Sequence, residues 1–104
     1  MGKQKIIDEL TTLLAKALRH HIGSKVNEME LYARQYAKDA EVLFREARKV
    51  SLQINWNTDD KRAIYSILKK KLHDELAKKE FIGEKKFEIM NEEMDTSLKD
   101  FGII

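Results

Sequence analysis

The chain has no cysteine, no proline and only four glycines in 104 residues. Without cysteine there are no disulfides, thiolate metal sites or cysteine nucleophile, so stability has to come from core packing. Without proline the strongest helix breaker is gone, and scarce glycine leaves few places for a sharp turn. Long apolar runs are lacking too: lysine, arginine or an acid interrupts every candidate before the about 18 consecutive apolar residues a spanning helix needs. The start, Met1-Gly2-Lys3-Gln4-Lys5-Ile6, has neither the apolar stretch of a secretory signal nor the Ser or Thr that a myristoylation motif places where Ile6 stands. The expectation is a soluble protein with no membrane partner, located in a reducing cytoplasm.

Charge, by contrast, is abundant. Asp, Glu, Lys and Arg make up 37 % of the chain, against roughly 25 % in an ordinary globular sequence. That excess favours long helices with solvated outer faces, and high Lys and Glu with no Cys is also a weak thermophile signature. The length fits one domain spanning residues 1–104. Charge is unevenly spread: five Lys/Arg against two acids in residues 1–25, seven against five in 57–82, but three against six in 83–104. In a bundle the acidic last segment can neutralise the basic first and third ones.

Apolar periodicity marks four helical segments. The first runs from about Lys3 to Ile22, with Ile6, Ile7, Leu10, Leu13, Leu14, Ala17 and Leu18 on one broad face and Gly23 placed as its C-terminal cap. The second carries the cleanest stripe, Met29, Tyr32, Tyr36, Ala40, Leu43, Ala47, Val50 and Ile54. At 100° per residue these eight side chains fall within a face roughly 100° wide on a rod about 40 Å long. Asn27 and Glu30 have the form of a capping box for it.

Asn55-Trp56-Asn57 forms the turn to the third segment, where Asn57 is a good N-cap and Asp59 and Asp60 oppose the helix dipole. That segment turns Ile64, Ile67, Leu68, Leu72 and Leu76 inward and closes at Gly83. The fourth, about Lys85 to Phe101, has a narrow seam of Phe87, Met90, Met94, Leu98 and Phe101 and ends at Gly102. Short connections predict an all-α, four-helix up-and-down antiparallel bundle.

Lengths of roughly 30, 40, 37 and 25 Å make the second and third helices the longest, which predicts a long central hairpin with an uncovered tip. Val50, Ile54, Trp56, Ile64 and Tyr65 occupy that tip, enough apolar surface to predict a protein interface. Leu31 and Val42 lie on the far side of the second helix from its stripe, and Lys71 and Glu75 lie inside the apolar arc of the third, spaced to pair at a rim.

Residues that carry chemistry are sparse. Di-iron bundles use Glu-x-x-His pairs, but Lys70 stands three before His73 and no acid stands three before His20 or His21. Those adjacent histidines diverge by about 100° on a helix and cannot share one ion. Ser24, Ser51, Ser66 and Ser97 are scattered, with no base and orienting acid in a recognisable spacing. His21, near the middle of the first helix's apolar face, reads as a satisfied, partly buried histidine. We therefore expect no catalytic residue, metal or cofactor, and a scaffold or interaction module that self-associates as a homodimer. The alternative is a DNA- or RNA-binding protein using Lys16, Arg19, His20 and Lys25 at the end of the first helix and Arg62, Lys69 and His73 on the third.

Overall fold

A computed structural model describes residues 2–26, 30–78 and 85–104. Four helices follow in order: α1 Lys3–Val26, α2 Glu30–Ser51, α3 Thr58–Ala77 and α4 Lys85–Asp100. Among the described residues there is no strand, so the all-α helical bundle expected from periodicity is the fold. Asn27 and Met29 of the second segment's start, and Gly83 at the close of the third, lie outside the described residues.

The centre of the bundle is α1, not the α2–α3 hairpin. α1 packs along α2, α3 and α4, and α3 also packs on α4, while α2 and α3 do not pack along each other. The lengths differ accordingly, 24 residues for α1 against 22 for α2 and 20 for α3. The reason is Gly23. It does not end α1, which continues to Val26, and it has no positive φ. It is buried inside the helix, where an added Cβ would sit 3.1 Å from the Tyr36 ring of α2. Its role is close approach between two helices, and the cap that a glycine suggests in sequence is absent.

Buried positions of α1 run through Ile7, Leu10, Thr11, Leu14, Ala15, Ala17, Leu18, Ile22 and Gly23. At 100° per residue they sweep about 240° of the helix circumference, as a helix with neighbours on several sides requires. α3 contributes Ile64, Leu68, Leu72 and Leu76, and α4 contributes Met90, Met94 and Leu98. From α2 the buried residues are Ala40, Ala47, Val50 and Ser51. Small side chains dominate that face, which lets α2 lie close against α1.

The direction of each helix follows from contacts. Lys3 bonds Asp60 near the starts of α1 and α3, and Asp8 bonds Lys71 further along, so these two helices run the same way. His73 meets Phe87 and Tyr65 meets Asp95, so α4 runs back along α3. Two caps fix the ends. The Asn57 side chain accepts from the Asp60 N–H at 2.8 Å while the Asp60 carboxylate accepts from the Asn57 N–H at 3.1 Å, a reciprocal capping box. At the other end Gly102, with φ 72°, donates to Lys99 and Ile103 donates to Leu98, the Schellman pattern, with Ile103 and Leu98 both buried.

Candidate functional site

The five residues expected at an uncovered tip are largely consumed by the fold. Ile64 is fully buried and Val50 is 7 % exposed, so both belong to the monomer's core. Trp56 folds back over the end of α2, packs on the core and donates from Nε1 to the Ser51 carbonyl at 3.1 Å. That bond satisfies one of the carbonyls a helix end leaves without a partner. Ile54 is half-buried in the same turn. Tyr65 packs partly on the core beside Asp95; burial first, then the Asp95 charge, pushes its phenol up, so it stays protonated. These five positions are covered because the α2–α3 turn bends inward, which helix lengths alone do not reveal, while Leu52 beside them stays exposed.

Apolar exposure is found instead at Leu52 in the turn, 77 % exposed, and along α2 from its start to its middle. Leu31 is 74 % exposed, Tyr32 53 % and Val42 54 %. Tyr32 was placed on the core stripe by periodicity. It is uncovered because α2 rests on α1 along one face and reaches α4 only later, where Phe44 lies 6.4 Å from the Phe101 ring and Arg48 stacks over it at 4.5 Å. Leu31 and Val42 sit on the far side of α2, as their spacing implies.

The polar residues at the end of α1 are tied to the three surrounding helices. His21 Nε2 donates to Glu93 of α4 at 2.9 Å, and Lys25 also bonds Glu93. Arg19 meets Glu75 of α3 at 3.5 Å, and His20 lies 3.8 Å from Asp39 of α2 while its Nδ1 donates to the Lys16 carbonyl at 2.8 Å. Glu93 is the clearest electrostatic consequence. Burial would raise its pKa, but the Lys25 bond and the His21 and Lys25 charges outweigh burial and hold it below the ordinary value. Ser24 donates to the His21 carbonyl at 2.6 Å, so its hydroxyl is not directed at an imidazole.

Lys71 and Glu75 do not pair with each other. The Lys71 ammonium reaches Asp8 Oδ1 at 2.7 Å, the Asp8 carbonyl at 3.0 Å and the Thr11 and Thr12 hydroxyls at 2.9 Å each. With Arg19–Glu75 it clamps α3 to α1, so these two residues inside an apolar arc serve to join helices.

A groove of about 560 Å³ opens between α3 and α4, lined by Tyr65, Ser66, Lys69, Lys70, His73 and Asp74 from α3 and Met90 from α4. Beside it the His73 ring lies 5.1 Å from the Phe87 ring. Of the seven cations expected to face a nucleic acid, only Lys69 and His73 line this groove. Arg62 is exposed one turn away, and Lys16, Arg19, His20 and Lys25 belong to the α1 end. Ser66, Lys70, Asp74 and Met90 are not expected together at a site from sequence, because nothing in the spacing of α3 indicates which flank meets α4.

Among the described residues no group of three or more His, Cys, Asp or Glu is placed to hold a metal ion, and no helix is long and apolar enough to cross a membrane. The chain matches no protein-family model, no curated protein and no solved structure.

Proposed function

We propose that the protein is a non-catalytic interaction module that self-associates as a homodimer, through the outer flank of α2. The observation that carries this reading is the one-sided support of α2: packed along α1, it leaves Leu31, Tyr32 and Val42 more than half exposed. Leu31 and Val42 are eleven residues apart, hence within about 20° of each other on the helix, and form a line along which another helix can lie. Two cations of the same helix are compensated locally, Arg45 by Glu41 and Lys49 by Glu46, each at 3.6 Å. This lowers the repulsion between two copies brought together.

Sedimentation at micromolar concentration tests the reading. A species heavier than the 12.2 kDa monomer is expected, and Leu31→Glu combined with Val42→Glu should return it to a monomer of unchanged helicity. A wild-type chain that sediments as a clean monomer removes the proposal.

Nucleic-acid binding is the second reading. Arg19, His20 and Lys25 already face internal carboxylates, which leaves Lys16, Arg62, Lys69 and His73 for phosphates. Titration with duplex and single-stranded DNA and RNA at two salt concentrations decides it: a steep salt slope supports it, and no binding at low salt sinks it.

A further inference from the structure

The geometry points to the groove between α3 and α4 as a binding site for a small organic anion with an apolar body. Three features argue for that occupant. The first is size: about 560 Å³ lies within the roughly 300–1,000 Å³ typical of small-molecule pockets.

The second is the lining. The Met90 thioether chain and the Tyr65 and His73 rings offer an apolar, polarizable surface to a ligand body, and Met adapts its shape to irregular partners. Tyr65 packs partly on the core and His73 lies against Phe87, ring centres 5.1 Å apart. The rings are thus positioned before any ligand arrives.

The third is charge. Cations at the contacts of α1 with α3 and α4 are matched, with Lys3 on Asp60, Arg19 on Glu75, Lys25 on Glu93 and Lys71 on Asp8. Lys69 and Lys70 line the groove and, among the described residues, form no ion pair, although Asp74 lies at the same groove. Two unmatched ammonium groups beside an apolar surface complement a carboxylate or sulfonate attached to a hydrocarbon or aromatic body. A neutral apolar molecule would leave that charge unused, and a fully polar anion would leave the apolar lining unused.

The test uses 8-anilinonaphthalene-1-sulfonate as the probe, followed by fluorescence and by amide chemical shifts of the labelled full chain. One saturable site is expected, with shifts centred on Ser66, Lys69, Lys70, His73 and Met90. The uncharged N-phenyl-1-naphthylamine should bind more weakly. Lys69→Glu combined with Lys70→Glu should weaken the sulfonate by about tenfold, and raised salt should do the same in smaller measure. Ser66→Trp, which fills the groove and keeps both lysines, should also abolish binding. The proposal is overturned if the probe shows no saturable binding up to millimolar concentration, if its shifts centre elsewhere, or if both variants bind as the wild type does.

Discussion

α1 and α2 are nearly equal in length, 24 and 22 residues, and opposite in situation. α1 is enclosed by three helices, whereas α2 is packed along one. The sequence pattern runs the other way, since α2 has the cleaner stripe and α1 the more diffuse one. The physical reason is that one-sided contact selects a narrow apolar face with polar residues around the rest, while a helix with neighbours on several sides spreads its apolar positions over a wide arc. A sharp stripe therefore marks a peripheral helix here, and breadth of arc marks the central one.

The most forceful way to break this comparison is to truncate equivalent side chains in the two helices. Leu14→Ala in α1 removes a fully buried side chain and should cost about 3–5 kcal/mol. Leu43→Ala in α2, half-buried, should cost about 1 kcal/mol. Urea unfolding midpoints measure both, and equal costs would contradict the placement of α1 at the centre.

Next in size is the contact between the two helices. Gly23→Leu forces a side chain into the Tyr36 ring and should destabilise by about 1–3 kcal/mol. If Gly23 were a helix cap at a loop, the same change would be read through its φ and would leave α1–α2 packing intact, so relief of the defect by Tyr36→Ala distinguishes the two roles.

A smaller effect is expected at the end of α4. Gly102→Ala places a Cβ at φ 72° and should cost about 1 kcal/mol, seen in the melting temperature.

The smallest effect concerns the polar ring around α1. Glu93→Gln should destabilise by about 0.5–1 kcal/mol at neutral pH. Because the folded carboxylate titrates below its ordinary value of 4.5, its contribution is present above that pH and is lost as pH falls through the lowered folded value. The wild type and the variant should therefore converge in stability on acidification below about 4.5. A difference that persists to the lowest pH would show that packing, not the His21 and Lys25 charges, is what the substitution disturbs.

Much of the fold was legible because it is local. The Asn57 cap, the Gly102 terminus, the seam of α4 and the inward residues of α3 each depend on neighbours within a turn or two, and all four stand in the structure. Gly23 was misread because a glycine near a helix end suggests a cap, while its actual partner, Tyr36, is thirteen positions away on another helix. The hairpin tip was misread because helix lengths do not show that Trp56 turns back onto Ser51. The α3–α4 groove was beyond reach, since it joins residues 65–74 to Met90 by a packing choice that periodicity leaves open. The wide arc of α1, however, was present in the sequence. The adjacent pairs Ile6-Ile7 and Leu13-Leu14 already spread it beyond one face.

Native-state hydrogen exchange, followed amide by amide in the Leu31→Glu, Val42→Glu variant so that no second copy covers α2, tests most directly whether α1 is the axis and α2 its one-sided neighbour. The account predicts that amides from Leu10 to Leu18 exchange only through global unfolding, while those from Ala33 to Asp39 exchange through smaller openings with a weaker dependence on denaturant. Uniform protection across α1 and the first half of α2, or slower exchange in α2, would contradict it.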